Sequence, residues 1–152
     1  MVTWGKFESL STGQQLILFN THLDYQSAQA RELGAKLIGD RLSQLSNQGS
    51  SEALIFITGD FNAAPGSLPR NILGHPMGDR LKLPDVLSNF SLKQQMTFHD
   101  FTGKAFAAID TIYCDRRVKL AQVNLDRRQR NGIWPSDHFP VIAEFSIYSH
   151  FK

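Results

Sequence analysis

The sequence predicts a mixed α/β or α+β fold, in which helices cover a sheet. Three observations lead to this prediction. Short apolar runs of strand length occur in both halves of the chain, one long segment has apolar residues at helical spacing, and strand candidates dominate the C-terminal half. The length of 152 residues predicts a single domain over 1–152, enough to bury about 70% of the surface that the unfolded chain exposes.

The N-terminal third reads as two strands and a helix. The strands are predicted over residues 2–9 and 15–23, joined by a polar turn with Gly13, and the apolar run 16–19 is typical of a strand buried on both faces. Ser27 fits a helix N-cap, and apolar residues then recur at helical spacing to about Leu45. A polar loop over 46–51 is expected before a third apolar strand over 53–58.

The remaining elements are shorter. A helix is predicted from near Ser67, with Pro69 in its first turn and Gly74 at its end. Residues 74–89 read as a loop with one helical turn at 85–87. Four strand candidates follow over 96–100, 107–114, 118–125 and 141–148, with a hairpin at Gly103.

Composition and charge are those of an ordinary globular protein. The net charge of +2 gives no strong overall attraction to nucleic acid. Residues 115–130 nevertheless hold a basic strip, which contains Arg116, Arg117, Lys119, Arg127, Arg128 and Arg130. Two interpretations stay open: the strip steers a polyanion toward a site, or it is a pair of solvated strand edges.

Cys114 is the one cysteine, so no internal disulfide can form and nothing favours an oxidising compartment. Its place in an apolar strand predicts a small buried side chain. The sequence shows no signal-peptide pattern and no apolar segment of membrane-spanning length, so a cytoplasmic location is the expectation.

Four short motifs follow or lie within apolar runs, so each is expected at the end of a buried strand. They are NTHLD at 20–24, TGDFN at 58–62, AIDTIY at 108–113 and SDHFP at 136–140. They supply imidazoles, carboxylates and an amide, with no candidate nucleophilic Ser or Cys. This inventory favours a metal ion and an activated water, and Mg²⁺ prefers such oxygen ligands.

In this order, the motifs resemble the C-terminal portion of the endonuclease/exonuclease/phosphatase family, which includes the DNase I-like enzymes. The resemblance runs from about Trp4 to about Phe145. It implies part of a two-sheet β-sandwich flanked by helices, and a hydrolase that cleaves a phosphodiester or phosphomonoester with Mg²⁺, or Mn²⁺ as the alternative. The substrate stays open, because relatives act on DNA, RNA, phospholipid head groups and inositol phosphates.

The resemblance also implies roles for the first two motifs. Asp60 orients or deprotonates the attacking water, Asn62 contacts the phosphate and the metal, and His22 donates to a non-bridging phosphate oxygen. Taken alone, the same residues read as a polar turn and a half-buried histidine. If the extended conformation continues past the strand, Asp60 and Asn62 point to the same face.

Asp110 lies within an apolar strand, where an unpaired carboxylate costs several kcal/mol, so a partner is expected. The family pattern makes that partner His138, with Asp110 fixing its tautomer and raising its basicity. Asp137 resembles the family's metal-associated carboxylate. His99 is a candidate to line the substrate groove, and simple strand packing is its alternative.

The chain departs from the family in one respect. The family's first half carries a Gln-Glu pair whose Glu is the main metal ligand, and this sequence has no such dipeptide. The N-terminal half of the domain is therefore expected in a longer chain or in a second one. Two further hypotheses stay open: an incomplete remnant that binds a polyanion or a protein, and a zinc hydrolase using His22 and His138, although no His pair has ligand spacing.

Overall fold

The computed structural model describes residues 1–47 and 52–147, which form seven strands and three helices. The elements in chain order are β1 (Val2–Glu8), β2 (Gln15–His22), α1 (Ala28–Asn47), β3 (Leu54–Asp60), α2 (Leu68–Gly74), β4 (Pro76–Asp79), α3 (Leu92–Gln95), β5 (Asp110–Cys114), β6 (Val118–Leu125) and β7 (Val141–Ile147).

The strands form a four-stranded sheet in the order β1-β2-β3-β5 and a two-stranded sheet of β6 and β7. β2 and β3 are parallel, with α1 as the crossover between them, while the β1–β2 and β3–β5 pairs are antiparallel. This architecture confirms the predicted mixed α/β class with parts of two sheets.

The four-stranded sheet has a hydrophobic core on each face, because its strand residues alternate. On one face, Ile55 and Ile57 of β3 pack with Ile38 and Leu42 of α1. On the other face, Phe56 meets Phe145 of β7 with ring centroids 5.1 Å apart. The sheet is therefore the middle layer, between the helices and the second sheet.

Helix α1 begins where the sequence predicts. The Ala30 backbone N–H donates to the Ser27 hydroxyl at 3.1 Å, as an N-cap requires. The helix continues to Asn47, two residues into the predicted loop 46–51, and residues 48–51 lie outside the described chain. The absence of a side chain at Gly39 lets β4 pack closely, because a Cβ there would lie 2.4 Å from the Pro76 carbonyl oxygen.

Two local predictions were wrong, and one helix was missed. The predicted loop 74–89 contains β4, and the segment 96–100 makes isolated bridges through Phe98 instead of a full strand. Asp100 and Phe101 both have positive φ, which ends the extended conformation there. Helix α3 was not predicted, although Ser91 and Gln94 form a capping box at its start. Residue 148 of the last predicted strand lies outside the described chain.

Cys114 is 6% exposed, in agreement with its predicted packing role. Burial raises the pKa of its thiol to about 11, so the thiolate is scarce at neutral pH. Within residues 1–47 and 52–147, no helix combines the length and the apolar character that crossing a membrane requires.

The conformation of Gly59 is required for the pairing of β2 with β3. Its φ is 146°, and a Cβ would lie 1.8 Å from the Thr21 carbonyl oxygen of the neighbouring strand. We predict that Gly59→Ala lowers the free energy of unfolding by about 3 kcal/mol or more, since backbone must move. Gly13→Ala is the matched control: φ is also positive there, but the space is open. Urea denaturation measures both, and equal losses would contradict the steric argument.

Candidate active site

Three motif side chains meet where strands of the central sheet end. In the β2–β3 register His22 is opposite Asp60, and in the β3–β5 register Asp60 is opposite Asp110. Because β2 and β3 run parallel and β5 antiparallel to them, two strand ends and one strand start lie at the same edge. Three apolar strands that are distant in sequence therefore place His22, Asp60 and Asp110 side by side.

The fourth motif joins them through side-chain pairing. His138 Nδ1 and Asp110 Oδ2 lie 2.7 Å apart in a hydrogen bond, so the predicted Asp110–His138 pair is confirmed as a contact. The backbone holds the motif in place: the His99 N–H donates to the Asp137 carbonyl at 2.8 Å, and the Phe139 N–H to the Thr97 carbonyl at 2.9 Å.

Thr97 and Phe98 support the pair, and sequence reasoning missed the role of both. The Thr97 hydroxyl oxygen accepts the Asp110 N–H at 3.3 Å, while Thr97 is also bonded to the His138 segment. Phe98 is opposite His138 across an antiparallel bridge, so both rings lie on one face, with centroids 4.9 Å apart. Together they fix the imidazole beside Asp110.

Asp60 occupies the centre of the group. Its Oδ2 lies 3.4 Å from His22 Nε2 and 4.0 Å from His138 Nε2, and its Oδ1 accepts the Asn62 backbone N–H at 2.8 Å. His22 is 68% exposed at the side chain, against 15% for Asp60. The carboxylate is thus half-buried below an accessible imidazole.

Burial, hydrogen bonds and neighbouring charges shift the pKa values of Asp60 and His138. Burial raises the pKa of Asp60 above its usual value, and the nearby charge of Asp110 raises it further. The hydrogen bond from the Asn62 N–H lowers the same pKa and offsets part of the rise. Burial alone would lower the pKa of His138, but the hydrogen bond to Asp110 and the surrounding carboxylate charges raise it. The site therefore favours a positive charge.

The predicted ligands Asn62 and Asp137 lie beside this group. β3 ends at Asp60, and Asn62 has φ 47°, so the extended conformation does not continue to it. Its Nδ2 donates to the Leu23 carbonyl at 2.9 Å. Asp137 Oδ1 lies 3.4 Å from the Ser136 hydroxyl, and its charge contributes to the raised pKa of His138.

The grouping that suits a cation is different from the predicted one. Asp60, Asp110 and His138 each offer a ligand atom, and these atoms lie within 4.8 Å of one another. The two carboxylates fit a hard divalent ion, whose charge would relieve their repulsion. The imidazole is already bonded to Asp110 through Nδ1, so only its Nε2 could reach an ion.

His99 is a correction to the predicted substrate contacts. It is fully buried, and its ring stacks on Phe139 at 4.1 Å and packs against Trp134 at 5.0 Å. Burial lowers the pKa of His99, which keeps the ring neutral in this apolar setting. A ring without exposed surface does not line a groove, so the packing alternative is the one observed.

Three of the six basic side chains of the strip, those of Arg117, Arg127 and Arg128, make contacts within the described chain. Arg117 Nη2 lies 2.7 Å from Asp115 Oδ2, and Arg128 Nε lies 2.7 Å from Asp126 Oδ1. The Arg127 guanidinium covers the Phe139 ring at 4.8 Å. These contacts favour the interpretation as solvated strand edges over a continuous polyanion track.

A groove of about 290 Å³ adjoins the group. It lies between the central sheet and the start of β7, and its walls are formed by Thr58, Gly59, Asp110, Thr111, Ile112, Ser136, His138, Phe139, Pro140 and Val141. Asp110 and His138 are thus accessible from a space large enough for a small phosphate ester.

The chain is similar to several solved structures. No protein-family model and no curated protein matches the chain. A mannosyl-6-phosphatase of Bacteroides thetaiotaomicron has a TM-score of 0.78 at 24% identity, over 96% of this chain and 57% of that one. An endonuclease/exonuclease/phosphatase of Bacteroides vulgatus gives 0.77 at 24%, over 97% and 55%. The human Nocturnin catalytic domain, with bound sulfate, gives 0.69 at 22%, over 97% and 53%.

The chain spans a little more than half the length of these structures. The agreement extends over nearly all of the chain, and it includes both sheets and the helix layer. The chain has the fold of the endonuclease/exonuclease/phosphatase family, and the resemblance predicted from its four motifs is confirmed at the level of the fold.

Proposed function

We propose that this chain carries part of the active site of a metal-dependent phosphoesterase, which cleaves a phosphodiester or phosphomonoester with an activated water. The observation that supports this most is the Asp110–His138 pair, whose free ring nitrogen faces Asp60 at 4.0 Å. The fold is shared with phosphatase and nuclease-type proteins, which agrees with this reaction class.

Each residue has a role that its contacts support. Asp110 accepts a hydrogen bond from the Nδ1–H of His138, which leaves Nε2 as an acceptor in the neutral ring. A water between Nε2 and Asp60 Oδ2 would be oriented by both and would give its proton to Nε2. His22, which is exposed above Asp60, would donate to a phosphate oxygen.

A divalent ion fits the same proposal. Asp60 and Asp110 are the carboxylates that would hold it, with Asn62 and Asp137 as the further predicted ligands. When bound, such an ion neutralises charge on the phosphoryl oxygens. Mg²⁺ is the proposed ion and Mn²⁺ the alternative.

The raised pKa of His138 gives the first prediction. In metal-free buffer with EDTA, the imidazole should titrate above 6.5 in the wild-type chain and at a lower pH in Asp110→Asn, because the acceptor and its charge are lost. NMR of the ring protons measures both values. Since the folded pKa exceeds the unfolded one, His138 stabilises the fold below pH 6.5, and this contribution fades as pH rises through the folded pKa.

Asp40→Asn is the control for this titration, because it removes the same charge from the exposed face of α1. It should leave the His138 titration unchanged. If Asp40→Asn and Asp110→Asn shift it equally, or neither does, the Asp110–His138 bond does not govern the imidazole.

The second prediction concerns catalysis. Hydrolysis of bis(p-nitrophenyl) phosphate should require a divalent ion and should fall by about 100-fold or more in Asp60→Asn and in His138→Ala. The assay uses this chain and the longest form of the protein that contains it, since the chain spans 57% of the similar phosphatase. Removal of metal with EDTA, then addition of Mg²⁺, Mn²⁺ or Zn²⁺, distinguishes the ions.

His75→Ala serves as the matched control, because His75 is exposed and distant in sequence from every motif. It should retain full activity. Wild-type rates in both Asp60→Asn and His138→Ala would refute the proposed function, and so would undiminished hydrolysis in EDTA.

A further inference from the structure

A second cavity lies beside β5, the last strand in the order of the central sheet. Its volume is about 500 Å³, and Tyr113 of β5 lines it. Ile112, the preceding residue, lines instead the groove beside Asp110 and His138, which we call the catalytic groove because of the function proposed above. The two spaces have different described lining residues, although Thr111 of the groove donates a hydrogen bond to Asp85 of the cavity. We call this space the Arg70 cavity, after the residue that forms its inner wall.

Arg70 is held in a fixed position at the cavity. The residue is only 3% exposed. Its Nε donates to the Tyr113 hydroxyl at 2.6 Å, one Nη to the Ala63 carbonyl at 3.1 Å, and the other Nη to Asp85 Oδ2 at 2.6 Å. These bonds use three of the five N–H groups of a guanidinium. The guanidinium also lies over the Phe61 ring at 5.3 Å and the Tyr113 ring at 5.5 Å, so a buried and oriented cation lines the cavity.

The charge around the cavity is positive on balance. Arg70, Lys82 and Arg116 line it from α2, the loop after β4 and the β5–β6 turn, and Asp85 is the one acidic residue among the described lining residues. Asp85 is already bonded to Arg70 and accepts the Thr111 hydroxyl at 2.5 Å. Converging cations from separate segments, around a partly apolar space, attract an anion.

We propose that the Arg70 cavity binds a small organic oxyanion, meaning a compact apolar body that carries one phosphate, phosphonate or carboxylate group. The Arg70 and Arg116 side chains would bind the oxyanion, because one guanidinium group can donate to two oxygens of a phosphate or carboxylate at once. Pro65, Leu83 and Pro84 would contact the apolar body. This proposal does not depend on the proposed phosphoesterase activity.

The test is an NMR titration of the full chain with phenylphosphonate, whose P–C bond a phosphoesterase does not cleave, and in parallel with benzoate. The Gly66 and Gly74 amides report on the Arg70 cavity, and the Gly59 amide reports on the catalytic groove. We expect saturable shifts at Gly66 and Gly74. A preference for phenylphosphonate assigns phosphorylated ligands, and similar binding of both compounds assigns organic oxyanions in general.

Two variants check where the compounds bind. Arg116→Gln should weaken binding at the cavity about three- to tenfold. The control Lys119→Gln, which removes an equally exposed charge that does not line the cavity, should change it less than twofold. Ser88→Trp places a large side chain from the exposed rim into the space and should abolish the Gly66 and Gly74 shifts in a chain with an otherwise native spectrum.

The proposal is overturned if neither compound moves the Gly66 and Gly74 amides, or if their shifts persist in Ser88→Trp. Equal weakening by Arg116→Gln and Lys119→Gln would also overturn it, because the attraction would then come from the overall charge. Shifts confined to Gly59 would assign both compounds to the catalytic groove and reject the second site.

Discussion

The register of three neighbouring strands is the constraint on which the site depends. β3 pairs parallel with β2 and antiparallel with β5, and this arrangement places His22, Asp60 and Asp110 side by side. A slip of one residue in either pairing would turn a whole strand over and send its polar end to the other face. A Cβ at residue 59 would lie 1.8 Å from the Thr21 carbonyl oxygen, so a glycine before Asp60 is a structural requirement of this parallel pairing.

Bringing the carboxylates of Asp60 and Asp110 together has an electrostatic cost, and neighbouring imidazole and N–H groups offset part of it. Asp60 and Asp110 are adjacent carboxylates, and burial with their mutual repulsion raises the pKa of Asp60. Imidazoles on either side of Asp60 and the Asn62 N–H supply compensating charge and hydrogen bonds. A site with excess negative charge at the end of a rigid sheet is well suited to a divalent cation and, through it, to a phosphate ester. Perturbed pKa values of this kind are common at functional sites.

The sequence was informative where the physics is local or the motif is distinctive. Apolar runs located β2, β3 and β6, helical spacing located α1, and a carboxylate inside an apolar run required a partner, which is His138. Contacts between distant segments were not predictable. Thr97 joins β5 to the His138 segment, and Arg70 joins α2 to Asp85, yet neither contact has a sequence pattern. The packing of His99 against Phe139 likewise follows from tertiary structure, since a strand histidine can face either side.

The central claim is that Asp60 at the end of β3 and Asp110 at the start of β5 create one dianionic point that would hold a divalent cation. Paramagnetic broadening of amide signals by substoichiometric Mn²⁺ tests it most directly, because the effect falls steeply with distance from the ion. The account predicts broadening centred on residues 59–62 and 110–111, weakened strongly in Asp60→Asn and in Asp110→Asn, with the exposed face of α1 unaffected. Broadening centred elsewhere, or unchanged in both variants, would contradict it.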